Sequence, residues 1–203
     1  MTTATQYAIV GSGNIGAALA QLFQRAGLDV SITNSRGQQS LQDLSSSIGP
    51  RVHAVSLEEA LKSEVIFMAI PFAAIDDFGR SVSDWSGKIV VDTTNAYYSP
   101  SAASMLQGRP AGNYVAEKLP GAQIVKAFNQ LPANTLSTPL DPGQGKRVVF
   151  IASDVEEASE QVARIVTDLG LSPVQLGQIE DGGRLIEVPN ALVLRNLIEL
   201  PLR

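Results

Sequence analysis

The chain has 203 residues, with 44% hydrophobic and 17% charged content, enough to bury a real core in one large domain or one domain with a small appendage. Its net charge of -5 argues against nucleic acid as a partner, because that needs a basic stripe. Zero Cys excludes disulfides, thiolate metal sites and a Cys nucleophile, and fits a cytoplasmic protein.

Residues 1–6 carry no basic segment and no apolar stretch of signal-peptide type. The longest apolar run, residues 65–75, includes Pro71 and falls far short of the roughly 20 residues that cross a bilayer. A soluble chain with no membrane insertion is therefore expected. Residues 7–11 read as a first strand and 14–26 as a helix, with Ala17, Ala18, Leu19, Leu22 and Phe23 as its apolar stripe and Gly27 as its C-cap. Residues 29–33 form a second strand, 38–48 a helix ended by Gly49-Pro50, and 52–55 a third strand. Ser56 with Glu59 makes a capping box for a short helix, and residues 64–70 suit a buried parallel strand.

Pro71 opens a turn and a helix to about Asp84, and a fifth strand, 88–92, ends in Thr93, Thr94 and Asn95. Helical material around 101–105 and 114–119 precedes a sixth strand at 123–128, and 139–145 reads as a surface loop. A seventh strand at 147–152 leads into a helix over 155–169, N-capped by Ser153 or Asp154. A short strand at 174–176 and an apolar terminal helix over 189–197 close the chain. Strands alternating with helices at this spacing predict an α/β fold of Rossmann type, a doubly wound and mostly parallel sheet. Residues 1–203 are expected to form a single dinucleotide-binding domain, with 178–203 as an extension.

The first strand runs into Gly11-Ser12-Gly13-Asn14-Ile15-Gly16, a G-x-G-x-x-G with a helix after it and a second strand about 20 residues on. Gly11 permits the tight turn, Gly13 lets backbone amides approach a pyrophosphate, and Gly16 lets the helix pack close to the sheet. The helix N-terminus then faces the phosphates with roughly half a positive charge. An NAD-binding chain carries an acid at the end of its second strand; here Asn34, Ser35 and Arg36 stand there instead. A hydroxyl and a guanidinium suit a 2′-phosphate, which selects NADP(H). At the carboxyl edge of the sheet, Ala69, Ile70 and Pro71 are expected to pass the nicotinamide ribose, with Thr93, Thr94, Asn95, Lys126, Phe128 and Asn129 nearby.

These residues, together with Val91-Asp92-Thr93-Thr94-Asn95, Val125-Lys126-Ala127-Phe128-Asn129, Val149-Phe150-Ile151-Ala152 and Gly183-Arg184-Leu185-Ile186-Glu187 before Pro189, resemble the NADPH-dependent coenzyme F420 reductase family. The resemblance spans nearly the whole chain and extends, more loosely, to the NADPH-binding domains of membrane metalloreductases. It implies hydride transfer between NADP(H) and a flavin-like acceptor such as coenzyme F420, FMN or FAD, or a ferric chelate. It also implies that Ser12, Asn14 and Ile15 hold the pyrophosphate, that Ser35 and Arg36 hold the 2′-phosphate, and that Asn95, Asn129 and the C-terminal segment face the acceptor.

Hydride transfer of this kind needs stacking and orientation more than a proton relay, and no acid–base pair is evident. The sole His, His53, reads as structural in the third strand, so Asn95, Lys126 and Asn129 are the only candidates for a catalytic role, and Lys126 the one for moving a proton. About 35 residues follow the helix ending at Leu169, too few for the long helical domain of β-hydroxyacid dehydrogenases or pyrroline-5-carboxylate reductases. The alternative to a reductase is a non-catalytic NADPH-sensing domain, with Ala191, Leu192, Val193, Leu194, Leu197, Ile198 and Leu200 as an effector surface or as a homodimer seam closing the acceptor pocket.

Overall fold

The computed structural model describes residues 6–201, so the leader expectation for residues 1–6 rests on a segment of which only Gln6 is described. Its strands are β1 (Tyr7–Val10), β2 (Val30–Thr33), β3 (Val52–Ala54), β4 (Val65–Met68), β5 (Ile89–Asp92), β6 (Gln123–Ala127), β7 (Lys146–Ser153), β8 (Ser172–Gln175) and β9 (Ile198–Glu199). They lie in the order β3-β2-β1-β4-β5-β6-β7-β8, with β9 pairing β7. The first six are parallel, β7 runs antiparallel to β6, and β8 is parallel to β7. The mostly parallel Rossmann-type α/β sheet expected from the alternation is thus present. Because β7 reverses direction, the connection from β6 to β7 stays at the carboxyl edge of the parallel strands, beside the glycine turn.

The helices are α1 (Asn14–Ala26), α2 (Gln42–Ile48), α3 (Leu57–Ala60), α4 (Ile75–Gly79), α5 (Ala102–Leu106), α6 (Ala111–Lys118), α7 (Ala133–Ser137) and α8 (Glu156–Asp168). Alternate strand residues feed two apolar layers, as the period of two requires. Ile9, Phe67, Val91 and Val125 pack with α1 and α8, while Ile66, Met68, Val90 and Ile124 pack with Phe72, Trp85, Tyr114 and Val115. Each large side chain buried this way contributes about 1.5–3 kcal/mol. Ser56 caps α3 by accepting from the Glu59 amide, as its capping box requires.

Three expectations are corrected. The helix after Pro71 stops at Gly79, whose carbonyl accepts from the buried Trp85 indole N–H instead of continuing the ladder. Neither Ser153 nor Asp154 is the N-cap of α8; the Ser153 hydroxyl accepts from the Val155 amide and Asp154 from the Ile179 amide, leaving Val155 at the cap position. Residues 189–197 form turns, not a helix. Their apolar side chains face different surfaces, Leu192 packing toward Val148, Phe150 and Ile186 while Val193 and Leu194 line a cavity, so no single helical stripe exists for tertiary packing to stabilise.

Candidate functional site

The carboxyl edge holds two cavities, one on each side of the glycine turn. The first, of about 530 Å³, is lined by Val10, Gly11, Ser12 and Gly13, by Asn34, Ser35 and Arg36, and by Ala69, Ile70 and Pro71, with Leu57, Ala74, Asp77, Phe78 and Ser81 completing it. The second, of about 660 Å³, is lined by Asn14, Ile15, Asn95, Tyr97, Asn129, Leu131, Pro132, Ala133 and five residues of the stretch 188–194.

The turn between them is built for close approach. Gly11 has φ +112°, and a Cβ there would stand 2.1 Å from the Ala69 carbonyl oxygen; a Cβ on Gly16 would stand 1.9 Å from the Gly11 carbonyl oxygen. Both positions are therefore closed to a side chain by backbone. Gly13 is different, since nothing lies within 4 Å of its notional Cβ, and it leaves open space in front of α1. No side chain caps α1 and no acid occupies its first turn, so its leading amides and its positive dipole end face that space. A pyrophosphate fits this arrangement, and a carboxylate cap would oppose it.

The end of β2 is tied to the turn. Asn34 Nδ2 donates to the Ser12 hydroxyl at 2.9 Å, its Oδ1 accepts from the Arg36 amide at 2.9 Å, and the Arg36 guanidinium reaches the Ser12 hydroxyl at 3.5 Å. Arg36 itself is exposed and leans over the first cavity. The only acid lining that cavity is Asp77, which is paired with Arg80. The donor set at Ser35 and Arg36 therefore fits a phosphate bound beside a ribose.

On the other side of the turn, Asn95 Nδ2 donates to the Asn129 carbonyl at 2.9 Å, and Asn129 Nδ2 donates to the Ile186 carbonyl at 2.7 Å. Asn129 is 3% exposed and its Oδ1 has no partner among the described residues. Tyr97 is the sole side chain with a titratable group among those lining this cavity. Phe128, at φ +62°, turns the chain sharply between β6 and Asn129, an uncommon conformation for an aromatic residue. Its ring ends a row of edge-to-face and tilted contacts with Phe67, Phe23 and Tyr7, at centroid distances of 5.8, 5.4 and 5.3 Å. The row holds the bent segment against the core.

Lys126 lies elsewhere. It is wholly buried, lines neither cavity, and donates to Asp92 Oδ2 at 2.9 Å and to the Thr94 carbonyl at 2.6 Å. Asp92 in turn accepts from the Thr94 amide at 2.9 Å. The pair thereby fixes the turn that presents Asn95, which corrects the expectation that Lys126 reaches the crevice as a proton carrier. His53 is far from both cavities and pairs with Asp29 at 2.9 Å, where Arg51 also binds. Those contacts hold the Asp29 carboxyl below its usual range, the His53 hydrogen bond contributing most.

Sequence reasoning placed Asn14, Ile15, Asn95 and Asn129 in the region where the structure gathers them, and put Ala69, Ile70 and Pro71 near the turn, where they share the cavity of Arg36. It missed Tyr97, Leu131, Pro132 and Ala133, while the C-terminal segment expected on the acceptor side does line that cavity through five residues of the stretch 188–194. The run Asn129-Gln130-Leu131-Pro132 directly after an apolar strand was the available signal for the second group.

Residues 6–96 match the family described as NADP oxidoreductase, coenzyme F420-dependent. A solved hypothetical protein, SMa0349 from Sinorhizobium meliloti, is 42% identical with a TM-score of 0.90, covering 96% of either chain. The chain is thus similar to that oxidoreductase family over residues 6–96 and to SMa0349 along nearly its whole length. Rattus norvegicus metalloreductase STEAP3 is 29% identical over 94% of this chain, which spans only 37% of the metalloreductase's length. An Arthrobacter structure named for F420-dependent NADP reduction has a TM-score of 0.71 at 20% identity, covering 96% of this chain and 100% of that one, a likeness of fold. Among the described residues, no helix is long and apolar enough to cross a membrane.

Proposed function

We propose that the protein is an NADPH-dependent reductase that passes a hydride to a flavin-like acceptor. The observation that carries this reading is the glycine turn's position between two cavities, Gly11–Gly13 bordering one and Asn14 and Ile15 the other. A dinucleotide laid across the turn has its phosphates at α1, its 2′-phosphate beside Ser35 and Arg36, and its nicotinamide toward Asn95 and Asn129. The family's description as NADP oxidoreductases supports the choice of dinucleotide.

NADPH, when bound, supplies the hydride. This chain's share is to orient and to exclude water: α1 amides and Arg36 hold the phosphates, and Leu131, Pro132, Val188 and Val193 offer an apolar wall for a planar ring. Asn95 and Asn129 supply amide groups at the edge of that ring's space, and the side chains lining it include no carboxylate, Lys, Arg or His. A flavin, a deazaflavin or a ferric chelate reduced through a flavin fits such a lining, because none of them requires an acid on the protein. On the same reading residues 1–203 act as one cytoplasmic NADP-binding unit, with 178–203 completing the acceptor site. Tyr97, Leu194, Leu197 and Leu200 are exposed around that region, and a homodimer through them would cover the cavity mouth.

The test is NADPH oxidation followed at 340 nm in the presence of F420, FMN, riboflavin or a ferric chelate, with NADPH affinity measured separately by fluorescence. Turnover with at least one acceptor is expected. Tight NADPH binding with no turnover on any of them would replace the reductase by a cofactor-sensing module.

A further inference from the structure

Five of the residues lining the acceptor-side cavity come from one stretch, Val188, Pro189, Asn190, Val193 and Leu194. This strap has no helical or sheet ladder of its own. The Asn190 amide bonds to the Glu187 carbonyl, that of Leu192 to Leu185 and that of Val193 to Asn190, all local to residues 185–193. Its shape relative to the sheet therefore depends on Leu192, which packs toward Val148, Phe150 and Ile186, and on a few ties at its ends. At the far end the Leu194 amide donates to the Gln130 carbonyl at 2.8 Å. At the near end Asn129 holds the Ile186 carbonyl, and the Glu187 carboxylate accepts from the Ala111 amide at 2.9 Å and the Gly112 amide at 3.4 Å.

We propose that Glu187 is a positioning residue for the acceptor, its side chain pinning the strap to the first turn of α6 so that residues 188–194 close one wall of the cavity. The inference rests on the reductase reading for the identity of what the cavity takes. Glu187 lines neither cavity itself, and the residues assigned to NADPH's phosphates lie on other elements, so its effect falls mainly on the acceptor.

The carboxyl is largely buried, and burial pushes its pKa above the usual carboxylate range. Lys126 on β6 and the α6 amides oppose that shift, while Asp92 on β5 adds to it. A released strap would restore the ordinary value. By linkage, ionisation then favours release and protonation favours closure. The acceptor KM should rise as pH climbs from the ordinary carboxylate range through the raised value.

The experiment measures acceptor KM and NADPH dissociation constant for the full chain and for Glu187→Ala and Glu187→Gln across pH 5 to 8, using whichever flavin or chelate the wild type turns over. Glu187→Ala should raise acceptor KM by roughly three- to tenfold, the scale of losing one hydrogen-bonded tie, with NADPH affinity little changed. Glu187→Gln keeps a carbonyl for the Ala111 amide and should restore the low KM while abolishing its rise with pH. An unchanged KM in the Ala variant, an equal loss of NADPH affinity, or a pH profile in the Gln variant matching wild type would each overturn the proposal. If the Ala variant does not fold, the pH comparison between wild type and the Gln variant decides alone. A wild type that binds NADPH but reduces no acceptor would instead sink the reductase reading.

Discussion

Replacing Arg36 by Ala tests the contact proposed to set dinucleotide preference. The guanidinium stands at the rim of the first cavity, 3.5 Å from the Ser12 hydroxyl, and is exposed to solvent. A charge-assisted hydrogen bond to a phosphate is worth about 1.5–3 kcal/mol, and exposure places this one at the lower end. About 1.5 kcal/mol corresponds to roughly a tenfold weaker NADPH dissociation constant. NADH has no 2′-phosphate, so its affinity should stay within a factor of about two, and the ratio of the two constants is the informative quantity. Fluorescence titration at low and moderate salt gives both, and the wild-type preference should shrink as screening grows while the variant's smaller preference changes less. Equal losses for NADPH and NADH, or none for either, would refute the assignment of the 2′-phosphate to Arg36.

Three further outcomes follow from the same geometry. Gly16→Ala places a Cβ against backbone that has no room to move, and should cost about 3 kcal/mol in urea unfolding, whereas Gly13→Ala meets open space and should leave stability near wild type while weakening NADPH binding. Lys126→Met strands the Asp92 carboxylate in the interior and should cost about 3–5 kcal/mol; adding Asp92→Asn should recover a large part of it, and a double variant no more stable than the single one would count against the pair. Ser56→Ala removes the cap of α3 and should cost about 1 kcal/mol by denaturant midpoint, with no change in NADPH affinity.

Much of the sheet was legible because its strands are short apolar runs of β-branched residues separated by glycine and helix signals. That kind of order survives without tertiary information, and the first half of the chain has it throughout. The direction of β7 was not legible. An apolar run reads the same in either sense, and only the length and path of the connection from β6 decide it. The terminal segment failed for a related reason. Ala191, Leu192, Val193 and Leu194 look helical by composition, yet only Leu192 packs toward the sheet, Val193 and Leu194 line the cavity, Ala191 is exposed, and the amide of Leu194 is taken by the Gln130 carbonyl.

The cofactor half of the site was written locally, in nine residues around the glycine turn and three at the end of β2. The acceptor half is assembled from positions near 95, 129 and 190, and no periodicity links them. A buried charge pair in the strands leading to the first two did leave a trace: Asp92 and Lys126 are the charged residues in otherwise apolar strands, and they prove to be register partners on β5 and β6. Two opposite charges at matching depth in adjacent buried strands must neutralise one another, since either alone would cost several kcal/mol. That necessity places both next to the turn that carries Asn95. Lys126 thus contributes by fixing the site's frame, and the second cavity is left lined by amides and apolar side chains, with Tyr97 as its one titratable group.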